Sequence, residues 1–162
     1  MKCVISVFAI VGFLFFSACS QNSSESNPVY GAWEMIEYSG ESVYSGKRDW
    51  KNVQPSVLIF MEGYYSINYI QGEEKRPVMP DGAWRGNISV EQANSIWKPY
   101  TSNTGQLEIT ASQIVTTPIV AIWPNFMEGG KRFYDYHFEG DELIMSFDEE
   151  NANGTYRLRR LP

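Results

Sequence analysis

The stretch SVLIFMEGYYSINYI, residues 56–70, decides the fold class of this chain. Two runs rich in β-branched and aromatic residues, 56–61 and 64–70, flank the dipeptide Glu62-Gly63. A glycine in a two-residue turn takes a positive φ without a steric penalty, and a connection this short forces antiparallel pairing. The stretch therefore predicts a β-hairpin, and it is the strongest hairpin signal in the sequence.

The second run of the hairpin leaves two registers open, because a strand presents alternate residues to opposite faces. In the favoured register, Tyr65, Ile67 and Tyr69 face inward. In the alternative register, the even-numbered residues from 64 to 70 face inward instead.

Short apolar or alternating runs continue on both sides of the hairpin, separated by clusters of Gly, Asn, Asp and Pro. The predicted strands are 31–38, 56–61, 64–70, 100–110 with a bulge at Gly105, 113–122, 131–138, 142–147 and 155–161. Residues 41–55 are predicted to be a polar connection, and residues 71–83 a long surface excursion. Sequential hairpins of this kind predict an all-β fold, an eight-stranded antiparallel up-and-down barrel without free sheet edges.

One short helix is predicted beside the barrel. Ser89 and Gln92 have the spacing of a capping box at the start of a helix over 90–97, and Pro99 ends it. The helix is predicted to lie against the barrel wall or to plug one end through one face, formed by Val90, Ala93, Ile96 and Trp97.

The amino-terminal residues are typical of an export signal. Lys2 precedes 16 uncharged residues, 3–18, a length that suits a removable leader better than a permanent span of about 20 residues. The segment Phe16-Ser17-Ala18-Cys19 resembles the lipobox of bacterial lipoproteins, although Phe16 replaces the usual Leu. This resemblance implies cleavage before a lipidated Cys19. An ordinary secretory leader and an uncleaved signal anchor are the alternatives.

The predicted domain organisation follows from this leader. Residues 1–18 are the signal peptide, residues 19–29 are the lipidated cysteine with a flexible polar tether, and residues 30–162 are the barrel. Cys19 is the sole cysteine after the leader, so the mature chain forms no internal disulfide. Ser20, and not Asp, follows Cys19. In Gram-negative lipoproteins this implies an outer-membrane anchor, with the domain facing the periplasm.

Several motifs occur in the order found in one family. They are Gly31-Ala32-Trp33, Leu58-Ile59-Phe60, Gly63-Tyr64-Tyr65-Ser66, the strand from Tyr100 to Leu107, Trp123-Pro124-Asn125, Arg132-Phe133, Gly140-Asp141-Glu142-Leu143 and the closing Tyr156 to Arg160. By these motifs the chain resembles the bacterial lipocalin-like domain family. The resemblance implies that Trp33 packs under Arg160 to close one end of the barrel, with Arg157 or Arg132 as substitutes. Thr116-Thr117 stands where such domains often have histidines.

Charge and composition exclude several classes of function. The formal net charge is −6 and the basic residues are scattered, which argues against a nucleic-acid partner. His137 is the sole histidine, so we expect no metal site and no cofactor. The sequence has neither a nucleophile elbow nor a glycine-rich phosphate loop, and we expect no enzymatic activity.

The aromatic content leaves one functional question open, because an eight-stranded barrel is either just filled by side chains or holds one small ligand. The favoured hypothesis, by analogy, is an apolar or amphipathic ligand in the barrel mouth. The residues predicted to line it are Tyr65, Ile67, Tyr69, Trp84, Tyr100 and Trp123.

Two alternatives to this ligand remain. The first is an envelope scaffold with a filled core and an unidentified protein partner. The second, a barrel isomerase or cyclase, would need residues such as Glu37, Arg85 and Tyr100 to converge inside.

Overall fold

Nine strands and two helices make up the described part of the chain, residues 27–82 and 86–162 of a computed structural model. They are β1 (Gly31–Ser42), β2 (Gly46–Trp50), β3 (Ser56–Met61), β4 (Tyr64–Ile70), α1 (Val90–Trp97), β5 (Tyr100–Ile109), β6 (Gln113–Ala121), α2 (Pro124–Glu128), β7 (Arg132–Glu139), β8 (Glu142–Glu149) and β9 (Ala152–Arg160). No helix within these ranges is long and apolar enough to cross a bilayer.

The barrel is closed by antiparallel pairing between its first and last strands. β1 pairs with β9 from Trp33↔Arg160 to Ser42↔Ala152, with a register shift between Met35 and Glu37. The remaining neighbours follow chain order from β3 to β9. The predicted eight-stranded antiparallel up-and-down barrel is therefore confirmed, together with the hairpin over residues 56–70 and the bulge at Gly105.

The ninth strand, β2, corrects the prediction of a polar connection over residues 41–55. β1 runs on to Ser42 and turns back into β2, whose Trp50 pairs with Tyr38. Three of the five residues of β2 are charged, so the strand lacks the apolar alternation that signals a strand in the sequence. Charged residues also protect its unpaired edge from association with other strands.

β1 thus changes neighbours along one of its sides. Its residues Gly31 to Trp33 pair with β3, and its residues from Tyr38 onward pair with β2. Between these two ladders, the Met35 amide donates to the Ser56 side-chain hydroxyl at 2.7 Å. The Ser56 hydroxyl therefore takes the place of a backbone carbonyl as the partner of the Met35 amide.

Helix α1 has the predicted bounds and both hydrogen bonds of the capping box. Its predicted packing stripe is only partly buried, because Ile96 is 7% exposed whereas Val90 is 78% exposed and Trp97 is 42% exposed. Ile96 and the outward-facing Ile70 of β4 line one groove, so the helix lies on the outer wall.

A second helix, α2, was not predicted. It has five residues, none of them buried, and it begins with Pro124, whose fixed φ suits the first turn of a helix. A segment this short has too few residues for a helical periodicity to be visible in the sequence.

The two ends of the barrel differ in structure. At the closed end lie the tight turns between β3 and β4, β5 and β6, and β7 and β8, together with the entry of the chain at Asn27. At the open end lie the β1–β2 and β8–β9 turns, the segment between β4 and β5 that includes α1, and the segment that contains α2.

The closed end is sealed by Trp33 and Arg160. Trp33 is fully buried, and the guanidinium carbon of Arg160 lies 4.2 Å from the centroid of its ring. A cation–π contact of this kind contributes roughly 0.5–2 kcal/mol, depending on its desolvation. Arg160 also donates to the carbonyl oxygens of Tyr30 and Pro28. A side chain on Gly31 would collide with this guanidinium.

The folded part begins slightly earlier than predicted. Val29, assigned from the sequence to the flexible tether, is fully buried and accepts a 2.9 Å hydrogen bond from Trp33 Nε1 at its carbonyl oxygen. The residues just before β1 therefore belong to the core.

Two glycines make room for large side chains inside the open half of the barrel. Gly40 and Gly154 are paired across β1 and β9. A Cβ atom on Gly154 would lie 2.6 Å from Phe147 Cε1 and 2.7 Å from the Tyr38 hydroxyl oxygen. The ring and the hydroxyl therefore occupy the space that a side chain on Gly154 would need.

We predict that Gly154→Ala lowers the free energy of unfolding by about 1–3 kcal/mol, the usual cost of overpacking a core. Urea unfolding followed by tryptophan fluorescence measures the change. Asn153→Ala, at the exposed neighbouring position, is the matched control. Equal stability of the two variants would contradict this account of the packing.

Candidate functional site at the open end of the barrel

The strand β4 adopts the favoured register. Tyr65 and Ile67 are buried and Tyr69 is half-buried, all on the inner side of the wall. Tyr65 lies in the closed half of the barrel, whereas Ile67 and Tyr69 line a cavity in the open half. The three side chains therefore do not form one site.

The other residues predicted to line a ligand lie elsewhere. The Tyr100 hydroxyl donates to Asn68 Oδ1 on the outer wall, because the even-numbered residues of β5 point outward. Trp123 is 47% exposed and precedes α2. Trp84 and the lipidation residue Cys19 lie outside the described residues.

The cavity inside the described barrel has a volume of about 20 Å³. One water molecule needs about 10–15 Å³ by this kind of measure, whereas pockets for small molecules have about 300–1,000 Å³. The sequence favoured a small ligand cavity, and the interior is instead close to filled. The lining residues include Leu58, Ile67, Tyr69, Tyr134, Met145 and Tyr156.

Aromatic rings occupy most of the open half of the interior. The ring of Tyr156 lies 5.1 Å from that of Tyr38 and 6.0 Å from that of Phe147, measured between centroids. The rings of Tyr69 and Tyr134 lie 6.2 and 6.3 Å from it. Rings at these distances make favourable tilted and edge-to-face contacts, so the cluster leaves little free volume.

The mouth of the barrel is covered by α2. Phe126 packs on Arg132, with 4.3 Å between the ring centroid and the guanidinium carbon. Arg132 is also 5.2 Å from the ring of Phe147 and binds Glu149 through two nitrogens, at 2.7 and 2.8 Å. Phe126 and Arg132 border both the inner cavity and an outer groove of about 450 Å³, so they separate the two.

A polar bridge ties the segment after β4 to the same end. Gln71 Nε2 donates to Thr101 Oγ1 at 2.8 Å, and Arg48 Nη1 donates to Gln71 Oε1 at 2.9 Å. The Arg48 guanidinium lies 5.6 Å from the centroid of Trp50. Gln71 therefore links Thr101 to the Arg48 guanidinium at this point of the mouth.

The buried tyrosines stay protonated at neutral pH. Burial raises the pKa of Tyr65 and of Tyr134 to about 12, and it raises the pKa of Tyr156 well above its usual value. The Tyr65 hydroxyl lacks a hydrogen-bond partner among the described residues. The neighbouring Thr116 side chain lowers the pKa of Tyr65 against the larger effect of burial.

The described residues form no group of three or more His, Cys, Asp or Glu side chains that could hold a metal ion. His137 is exposed, and its Nε2 atom lies 3.3 Å from Glu139 Oε1. Of the residues named for an isomerase or cyclase, Arg85 lies outside the described ranges and Tyr100 faces outward. Glu37 forms ion pairs with Lys51 and Arg157, so the structure does not bring Glu37 and Tyr100 together inside the barrel.

Sequence reasoning missed the residues that fill the mouth, namely Phe126, Arg132, Tyr134, Phe147 and Tyr156. Strand alternation in the sequence could have indicated three of them as inward-facing. Arg132 and Tyr134 alternate with outward-facing residues of β7, and Tyr156 alternates with those of β9. Phe126 carries none, since its place depends on the unpredicted α2.

No protein-family model matches the chain, and no curated protein matches it. Among solved structures, the chain is similar to an uncharacterized protein from Bacteroides eggerthii, with 15% sequence identity and a TM-score of 0.39. The match covers 82% of this chain and 98% of that one.

We predict that stability falls steeply above pH 10 because of the buried tyrosines. The folded-state pKa of Tyr134 is about 12 and the usual value is 10.0, so between these pH values the unfolded chain binds fewer protons than the folded chain. The free energy of unfolding then decreases with rising pH, by up to about 1.4 kcal/mol per pH unit for each such tyrosine.

Urea unfolding between pH 9 and 12 measures this slope. Tyr134→Phe should make the slope shallower, and Tyr64→Phe, at an exposed position, should leave it unchanged. Identical slopes in the two variants would argue against burial as the cause.

Proposed function

We propose that this chain is a lipid-anchored, non-enzymatic barrel of the cell envelope that acts through its outer surface as a scaffold for protein contacts. The observation that carries the proposal is the filled interior, whose cavity of about 20 Å³ accommodates no apolar ligand. The eight-stranded barrel itself is compatible with either a filled or a hollow interior. The packing of its side chains favours the filled alternative.

The arrangement at the mouth supports a surface role. Arg132 is held by Glu149 and covered by Phe126, so this half-buried guanidinium beside the cavity already has its partners. A ligand would have to displace both of them. The buried tyrosines keep their protons at neutral pH and therefore act as packing groups and not as general bases.

The position of the chain entry supports the anchored arrangement. The described chain begins at Asn27 beside the closed end, and Cys19 precedes it by eight residues. A chain of this length spans at most about 29 Å, at 3.3–3.6 Å per residue. An anchor at Cys19 would hold the closed end near the membrane and turn the open end away from it.

We predict that the barrel binds no apolar probe. The chain from residue 19 with Cys19→Ser keeps every described residue and lacks acyl chains that would bind the probe themselves. Titration with N-phenyl-1-naphthylamine should give no saturable fluorescence increase. Met145→Ala, which removes a buried side chain from the cavity lining, should give more binding than the parent chain. Saturable binding by the parent chain would restore the hypothesis of a ligand-binding barrel.

We predict that Cys19→Ser moves the protein from the membrane fraction to the soluble fraction, because the thiol that carries the lipid is lost. Fractionation of cells of a Gram-negative host, with intact-mass measurement of the purified protein, tests this. Cys3→Ser is the matched control, since the proposed leader is removed before the mature protein forms. Membrane association of Cys19→Ser equal to that of Cys3→Ser would exclude a lipid anchor at this residue.

A further inference from the structure

The charged residues of the barrel strands are concentrated on one side of the wall. Strands β1, β2, β7, β8 and β9 each contain three side chains from Asp, Glu, Lys and Arg. Strands β3, β4 and β6 contain none, and β5 contains Glu108 alone. These four strands are consecutive neighbours in the sheet and form one continuous wall, called the uncharged wall below. Its single charged strand residue pairs with Lys131, and Arg76 lies over Tyr100 at the open end of this wall.

The margins of the uncharged wall expose apolar side chains to solvent. On β3, the outward-facing Val57, Ile59 and Met61 are 40%, 40% and 55% exposed. Tyr64 at the start of β4 is 56% exposed, and Val120 on β6 is 64% exposed. Val57, Ile59 and Met61 form a stripe along one strand, an arrangement that favours burial against another protein.

The centre of the wall is polar but already hydrogen-bonded. Asn68 Nδ2 donates to Ser66 Oγ at 2.9 Å, and Thr104 Oγ1 donates to the same oxygen at 2.9 Å. Ser102 Oγ donates to Asn68 Oδ1 at 2.8 Å. Because these side chains satisfy one another, covering them costs less than covering polar groups that depend on water.

The opposite wall carries ion pairs on its outer face. Arg159 pairs with Glu34, and Arg157 pairs with both Glu139 and Glu142 on its outer face. Exposed ion pairs of this kind are solvated and contribute little when isolated. Covering them would require the desolvation of both partners, which makes this wall a poor docking surface.

We propose that the uncharged wall, strands β3 to β6, docks side by side against the same wall of a second copy of this chain. The proposal deepens the scaffold function proposed above and rests on it for the shared membrane anchor. The formal net charge of −6 makes two copies repel each other. Contact through the uncharged walls places the charged walls on opposite sides of the pair and so minimises this repulsion.

The symmetry of such a pair agrees with one anchoring membrane. A two-fold axis parallel to the barrel axes brings the two uncharged walls together and leaves both closed ends on the same side. Both chain entries then point toward one membrane. The same wall of a second copy is uncharged and equal in size, so the two surfaces match. A partner with a strong positive or negative charge would not match this wall.

The size of the wall indicates a weak pair. Four strands spaced about 4.8 Å apart are about 19 Å wide, and strands of 6 to 10 residues are about 20–34 Å long. The wall therefore measures about 400–650 Å², which is less than the roughly 800 Å² per partner of a standard interface. Anchoring on one membrane raises the effective concentration of the copies and favours the pair there.

Cysteine cross-linking in cells tests the proposal on the full chain. Lipidation consumes the Cys19 thiol, so an engineered cysteine is the free thiol of the mature protein. Ile59 and Thr104 lie two strands apart on the uncharged wall, and a disulfide forms only between thiols close to the two-fold axis. Of the variants Ile59→Cys and Thr104→Cys, the one nearer this axis should therefore give a disulfide-linked species of twice the monomer mass. Phe133→Cys, at a 53% exposed apolar position on the charged side, is the matched control and should not. The unaltered chain is a second control, because any copies with an unlipidated Cys19 could also form a disulfide-linked dimer.

Sedimentation velocity of the Cys19→Ser chain from residue 19 gives an independent measure at high protein concentration. Ile59→Glu should reduce the association constant at least about tenfold, and Phe133→Glu should leave it unchanged. Absence of cross-linked dimer in both wall variants overturns the proposal. So does equal cross-linking of Phe133→Cys, or a cross-linked product that contains a different protein.

These outcomes are distinguishable from failure of the scaffold function. Saturable probe binding together with a dimer would remove the filled-barrel function and keep the pair. Absence of both probe binding and dimer would remove only the pair.

Discussion

Antiparallel pairing between β1 and β9 is the constraint on which the rest of the structure depends. It joins residues more than a hundred positions apart, and it turns an open meander into a cylinder with an inside and an outside. Trp33 and Arg160 stand opposite each other in this ladder, so the contact that seals the closed end is set by the same register. A slip by one residue would turn every inward side chain of β9 outward.

The interior follows from this closure and from the sizes of the side chains that it brings together. Eight strands enclose little space, and Trp33, Phe60, Tyr65 and Tyr156 are large. Glycine at positions 40 and 154 lets the remaining aromatic groups fit between opposite walls. The same packing that stabilises the barrel therefore leaves a cavity of only about 20 Å³ in its open half.

Much of the fold could be predicted from local sequence patterns, because alternation, turn glycines and a capping box act over a few residues. The hairpin at residues 56–70 and helix α1 have the predicted bounds. β2 could not be predicted, since its charged residues lack alternation and its pairing depends on β1. The filling of the mouth could not be predicted either, although Tyr134 and Tyr156 follow the strand alternation. Phe126 reaches Arg132 through a short helix, and free volume is a property of the whole packed interior.

The change of neighbours along β1 has a consequence for the motions of the wall. Near Met35 the strand has left β3 and has not yet met β2, and a serine hydroxyl holds the amide that a backbone carbonyl would otherwise hold. A hydroxyl on a rotating side chain is a looser restraint than a ladder of peptide groups. The closing ladder on the other side of β1 has its register shift between Met35 and Glu37, at the same height. Local opening of this seam would therefore let water reach the backbone on both sides of β1, while the regular parts of the closing ladder hold the cylinder together.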